Sequence, residues 1–413
     1  MNQLFRLLTY VRVSLTLVAA TVMLAGAQAR AQCPPDVVTS GLQRPLGITQ
    51  SNQGNLLVSE TGTRMLHTGR ISIVDPDGTR QTLLDGLPSG VNDVNEPSGP
   101  AGLFLRGRTL YVAIGVGDVA LIGRNPMGQP IPGTAVLNPN GSSSPIFSSV
   151  LAIHFSANVE KTTGGFILSL ANQQALADGQ KVTLSSGSSN KKPSKGGGDK
   201  ITVELIANFP DFTPNPLLFF QPNIRVSNPF DLVVAGDTLY VTDGGMNLVW
   251  QVDINSGAYS ALTTFPQIQN PLPIPPGMVE AVPTGIDYAD GQLLVTLFRG
   301  FPFPAGTSVV EQVDPVTGEH APFISGLRTA IDVLAIREGG DTDYLVLQHS
   351  SAGGRPLPPF ENPGRLLRFE EPGGAPTVIA DCLTRPTSMA LDEKTGTLYV
   401  TEVGGRLVAI PVE

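Results

Sequence analysis

At 413 residues the chain can form one large domain or two to three ordinary ones. Its 46 Gly, 36 Pro and only 15% charged residues favour many short strands and turns over helices. A net charge of −9 with no basic run on the fold argues against a nucleic-acid partner.

Residues 1–31 read as a secretory signal peptide. Arg6 and Arg12 precede an apolar run that starts at Val13 and continues to Gly26, and Ala29-Arg30-Ala31 supplies small residues at the cleavage spacing, with Ala27-Gln28-Ala29 as a second option. A membrane anchor is the competing reading. Cys33 follows Arg30-Ala31-Gln32, which is not a lipobox-like small triplet. Cleavage removes three arginines and no acid, taking the net charge to −12. No later apolar run reaches the ~20 residues of a membrane-spanning helix, so the mature chain is expected to be exported, periplasmic or extracellular. Cys33 and Cys382 both survive cleavage, and in an oxidising compartment they either pair or remain free thiols.

From residue 44 onward one phrase recurs six times: RPLGITQ, GPAGLFL, NPFDLVV, VPTGIDY, TAIDVLA and RPTSMAL. A polar turn and a second strand follow each (LLVSE, LYVAI, LYVTD, LLVTL, YLVLQ, LYVTE), then a third (RISIVD, VLAIHF, LVWQVD, VVEQVD, RLLRFE, RLVAIP). Residues 228–265 show the unit most plainly. Their four short runs rich in Val, Leu, Tyr and Thr are split by Gly, Asp and Asn, the pattern of antiparallel strands joined by tight turns. Five fourth strands precede the next copy (QTLLDGLP, ITVELIANFP, YSALTTFP, APFISGL, TVIADCL), and the sixth copy ends without one. The missing strand is found at the other end of the chain, in DVVTSGL from Asp36. A last sheet completed by the N-terminus closes a ring and leaves no open edge between first and last units. The expected architecture is therefore all-β: one six-bladed β-propeller over residues 32–413, closed by an N-terminal strand.

Copies two and three are unusually far apart. A hidden seventh unit competes with an insertion. Only one clear opening phrase and one closing tail lie in the interval, which favours an insertion at about residues 157–200, between strands three and four of the second blade. It holds a candidate hairpin, GFILSLANQQALADGQKVTLSS, and a Gly/Ser/Lys-rich run that reads as a flexible linker. Three Asp-containing turns, starting at Asp75, Asp314 and Asp392, lack the alternating acids and distal Glu of a calcium loop and read as hairpin turns.

The phrases SNPFDLVVAGDTLYVTDGGMNLVWQVD, VPTGIDYADGQLLVTLFRGFPFPAGTSVVEQVDP and RPTSMALDEKTGTLYV resemble the ScyD/ScyE family of exported proteins and, more distantly, NHL-repeat and gluconolactonase-type propellers. The resemblance covers almost all of the mature chain, and FRGFPFPAG at residues 298–306 is its most distinctive piece. It implies an exported six-bladed propeller and little about chemistry. Residues 157–200 depart from the family pattern.

In a propeller the first strands line a central channel, and loops entering strand one and leaving strand two share a face. Superposing the six copies places Gly47, Gly102, Asp231, Gly285, Asp332 and Ser388 at the channel mouth, and Glu60, Ile114, Asp243, Leu297, Gln348 and Glu402 at the second-strand ends facing it. Asp231, Asp332, Glu60, Asp243 and Glu402 are the candidate ligand-binding residues, with Asp231 and Asp332 the candidate metal ligands. Clustered carboxylates persist when water, hydrogen bonds or a hard cation compensates them, so Ca²⁺ or Mg²⁺ is the cation to consider; strand-end capping is the bland alternative. His349 and Arg299 are candidate catalytic groups, His349 as base or ligand and Arg299 as a clamp for an anion. The four histidines form no zinc-type pair, and no GxSxG elbow is present. Three functions stay open: a propeller binding a small molecule or protein partner at an acidic mouth, a divalent-metal-dependent hydrolase of the gluconolactonase type, and a quinone-dependent sugar dehydrogenase. The first is preferred, because the acids lack a recognisable ligand pattern with Asn partners.

Overall fold

The structure, a computed structural model, describes residues 33–162, 165–186, 199–338, 340–351, 360 and 362–412. The leader and most of the lysine-rich run lie outside these. Among the described residues the chain is nearly all-β. The six opening phrases are the first strands of six antiparallel sheets, in which the first to third strands lie side by side in chain order. The first strands are Pro45–Gln50, Pro100–Arg106, Pro229–Ala235, Pro283–Ala289, Ala330–Glu338 and Pro386–Asp392. We number the sheets one to six in that order. Asp36–Ser40 pairs antiparallel with Arg406–Pro411 as the fourth strand of sheet six.

Strand alternation explains why the sheets stack. In sheet two, Leu110 and Val112 pack with Ile71 and Leu84 of sheet one, while Tyr111 and Ala113 pack with Leu232 and Val241 of sheet three. The same division recurs in sheet three, where Tyr240 faces sheet four, and in sheet four, where Leu294 faces sheet five. Leu345 and Leu347 of sheet five meet Leu398 and Val400 of sheet six. Leu407 of sheet six packs with Ile48, Leu56 and Val58 of sheet one. A strand buried on both faces reads as a continuous apolar run, which is how the second strands appear in the sequence.

Strand three of sheet two is Ser149–Phe155, and strand four, its antiparallel partner, is Lys200–Asn208. Between them, residues 165–186 form a strand–helix–strand rather than the expected hairpin. Phe166–Ile167 adds in parallel to the outer edge of sheet one, helix Leu170–Ala177 starts at a capping box on Ser169, and Val182–Ser185 adds to the outer edge of sheet two. Phe166, Leu168 and Leu176 are almost fully buried with Leu83 and Leu84, so this insertion clamps two sheets together.

A second elaboration gave no signal in the sequence. Ala120–Arg124 and Pro130–Leu137, between strands two and three of sheet two, join Phe212–Pro214 and Ile224–Val226, which precede sheet three, in an accessory four-stranded sheet.

Cys33 and Cys382 form a disulfide. It ties the segment leading into the N-terminal strand to the outer strand of sheet five (Thr377–Leu383). It therefore holds the strand that completes sheet six. Cys33→Ser in the mature chain should cost about 2–5 kcal/mol, measured by urea unfolding, and reductant should shift the parent chain alone. Equal midpoints for both proteins, with and without reductant, would show that the strand is held without it.

Candidate functional site

All six first strands carry the same irregularity. Pro45 pairs with Glu60 but Ile48 with Val58, and the one-residue slip repeats in every sheet. A bulge re-aims the side chain it carries, and the residues at these bulges are the six superposed positions. Gly47, Gly102 and Gly285 are dictated by crowding. A Cβ on Gly102 would lie 2.3 Å from Asp231 Oδ1 and 2.5 Å from its Cα, and one on Gly285 would lie 2.5 Å from the Cα of Asp332.

Asp231 and Asp332 play equivalent parts. Asp231 Oδ1 accepts from Leu232 N at 2.9 Å, and Oδ2 accepts from Ile286 N of the next sheet at 3.2 Å. Asp332 accepts from Val333 N at 2.8 Å and from Met389 N of the next sheet at 2.9 Å. Both line a channel of about 390 Å³ with Thr49, Asp287, Ser388 and Lys394. Burial first, then the neighbouring Asp332, raises the Asp231 carboxyl well above the usual range. Burial pushes Asp332 up to about 7 and raises Asp287. At Asp231, Asp287 and Asp332, therefore, desolvation disfavours the charged form.

The channel opens on the face of the turns between first and second strands, since Ser51, Asn52 and Asp392 to Lys394 line it. There it runs into a groove of about 1010 Å³ that shares Asp287, Leu334, Leu391 and Glu393. This is the face opposite to the expected mouth.

Glu60, Asp243 and Glu402 are not in that channel lining. All three are fully buried and sit opposite Pro45, Pro229 and Pro386, the first residues of their sheets. Glu60 accepts from Gln43 N and Ser72 Oγ. Asp243 accepts from Ser227 Oγ, Trp250 Nε1 and the amides of Asn228, Gly245 and Met246. Glu402 accepts from Thr384 N and Arg406 Nε. Each fixes the segment that enters its own sheet.

For a divalent cation the residues present fit poorly. Asp231 and Asp332 each spend both oxygens on backbone amides. Among the described residues the one group of three Cys, His, Asp or Glu ligand atoms within 4.8 Å is Cys33, Asp381 and Cys382, where both sulfurs belong to the disulfide.

His349 and Arg299 lie on the entry face. Burial lowers His349 to about 4. Its Nδ1 is 2.8 Å from Pro386 O, a carbonyl that only accepts, so Nδ1 carries the proton and Nε2 presents a lone pair. Arg299 Nε donates to Thr307 O at 3.0 Å, while its buried Nη1 has no partner. Burial lowers its pKa, with Glu311 opposing. Superposition of the repeats did not single out what surrounds His349. Arg385 Nε approaches Nε2 at 3.5 Å, Phe298 and Phe360 pack beside the imidazole, and Phe303 packs on both rings. Arg385 stands in the opening phrase, where an Arg before Pro looks like repeat consensus.

No model of a known protein family matches the chain, and no curated protein does. Among solved structures, it is similar to a gluconolactonase from Xanthomonas campestris (12% identity, TM-score 0.47, covering 94% of this chain and 98% of that one). It is also similar to the PQQ-bound aldose sugar dehydrogenase of Streptomyces coelicolor (14%, 0.43, 91% and 96%) and to a chain of a nidogen/laminin complex (11%, 0.40, 84% and 91%). At such identities none of their side chains maps onto this chain.

The raised acids set a pH dependence. The folded chain holds protons on Asp332 that the unfolded chain releases above about pH 4, so the stability linked to them is present below that pH and is lost as pH rises through about 7. Between pH 5 and 8 the unfolding free energy should fall by at least about 1 kcal/mol, under one pKa unit of linkage, and by less in Asp332→Asn. Urea unfolding at the two pH values checks this; equal slopes for the two proteins would contradict it.

Proposed function

We propose that the chain is an exported, closed six-bladed propeller of the ScyD/ScyE type that binds a small cationic molecule in its acidic channel. Both faces of every sheet find an apolar neighbour, and the N-terminal strand completes the last sheet, which supports the ring. The disulfide suits an oxidising compartment, and no described helix is long and apolar enough to cross a membrane. The family assignment rests on the phrases quoted above.

The observation that carries the binding reading is the charge imbalance of the channel. Asp231, Asp287, Asp332, Asp392 and Glu393 line it against Lys394 alone. The Asp231 and Asp332 carboxyls are both desolvated, and Asp332 adds to the cost of ionising Asp231. An ammonium or amidinium group between them would restore their charge in a medium where attraction is stronger than in water. The volume lies at the small end of the ~300–1,000 Å³ range for ligand sites.

Titrating the mature chain with putrescine at pH 7 in buffers of different ionisation heat should show saturable binding with proton release. Affinity should weaken toward pH 5 and drop at least about tenfold in Asp231→Asn/Asp332→Asn, the loss of one charge-assisted contact. Absence of saturation, or equal affinity in the double variant, refutes the reading. Stoichiometric calcium with chelator-sensitive lactone hydrolysis would replace it by the metal-dependent hydrolase.

A further inference from the structure

The entry face holds a second constellation, of the opposite charge, that the channel reading does not use. Arg44 and Arg385 occupy the same place in adjacent sheets, each the residue before the first-strand proline. The two first strands touch, and Thr387 Oγ1 donates to Pro45 O at 3.0 Å. The guanidiniums are close enough that Arg44 lowers the pKa of Arg385, after burial, while Glu96 opposes. Arg44 is ion-paired with Glu96. Arg385 has no carboxylate partner among the described residues. Among the described residues its side chain makes one hydrogen bond, the long contact from Nε to the lone pair of His349 Nε2.

Beside these cations stands an aromatic wall. Phe360 lies 4.8 Å from His349 and 4.8 Å from Phe303, Phe298 lies 5.8 Å from His349 and 5.9 Å from Phe303, and Phe301, 40% exposed, packs 6.0 Å from Phe303. Arg385 sits 5.9 Å over the ring of Phe360. Both arginines are held at positive φ, 55° and 52°. The same place in sheets four and five holds Val282 and Thr329, also at positive φ (53° and 43°), so this conformation belongs to the repeat and the charge is what sheets one and six add.

We propose that Arg44, Arg385 and the phenylalanines beside His349 form a binding site for a small aromatic monoanion, an aromatic carboxylate. The charge sets the valence, because Glu96 neutralises Arg44 and one net positive charge remains. The planar guanidinium fork suits a carboxylate, and the rings and neutral imidazole suit an aromatic body. His349 adds no positive charge at neutral pH, which keeps the site selective for one negative group.

The test is calorimetric titration of the mature chain with benzoate, with acetate (no ring) and with benzyl alcohol (no charge). Benzoate should saturate, and both controls should bind at least about tenfold more weakly, the equivalent of one lost contact. Arg385→Asn, which removes the charge and tolerates positive φ, should weaken benzoate at least about tenfold with an unchanged circular dichroism spectrum. Glu96→Gln, which frees Arg44, should tighten it. Asp231→Asn/Asp332→Asn should leave it unchanged, so failure here is separable from failure of the channel reading. Benzoate binding no tighter than acetate, or weaker in Glu96→Gln, overturns the proposal, as does unaltered affinity in folded Arg385→Asn.

Discussion

The structure depends on polar stitches between neighbouring first strands. In five of the six sheets a side chain of the first or second strand reaches the backbone of the next sheet's first strand. Ser59 Oγ donates to Ala101 O, Thr242 Oγ1 to Thr284 O, Thr284 Oγ1 to Ala330 O, and Thr387 Oγ1 to Pro45 O. Asp231 and Asp332 make the matching contacts to Ile286 N and Met389 N. Apolar packing is non-directional and would tolerate sliding of one sheet on another. These bonds set the register, and leaving one of their buried partners unpaired would cost about 1–3 kcal/mol.

The stitches also explain why the channel acids exceed a structural need. The bulge position is Gly in three sheets and Ser388 in a fourth, and none of these supplies a carboxylate. Only sheets three and five carry an acid, with Gly285 between them on sheet four. That glycine leaves the two acids without an intervening side chain. Their amide contacts are real, yet a neutral acceptor would make similar ones without the cost of desolvated charge.

Much of the fold was legible because each sheet is written locally, in strands a few residues apart with Gly, Asp and Asn turns. The N-terminal strand was legible too, since DVVTSGL repeats the tail of the other fourth strands. The accessory sheet was not. Its pairing of Ala135 with Ile224 joins two short segments far apart in the chain, and no periodicity links them. At the site, aligned positions located Asp231 and Asp332 in one channel. The same spacing grouped Glu60, Asp243 and Glu402 with them, because alignment shows which strand end a residue occupies and not which local amides take up its oxygens. Arg44, Arg385 and Glu96 escaped notice for a related reason. Two of them sit in the repeat phrase itself, and Glu96 lies in the connection between sheets one and two.

The two faces divide the labour by how they are connected. Between first and second strands the chain makes short turns, such as those at Gly107, Gly236 and Gly291, which leave the channel uncovered on that side. On the other face the connections grow. The pair Gly90–Val91 and Pro97–Ser98 carries Glu96 toward Arg44, Ile268–Gln269 and Met278–Val279 form a second small ribbon, and the accessory sheet is a third addition. The acidic lining opens among bare turns. A basic rim among long connections is built from side chains that those connections hold in place. The acids of the channel therefore face short turns, while Arg44 is fixed by an acid that one of the long connections supplies.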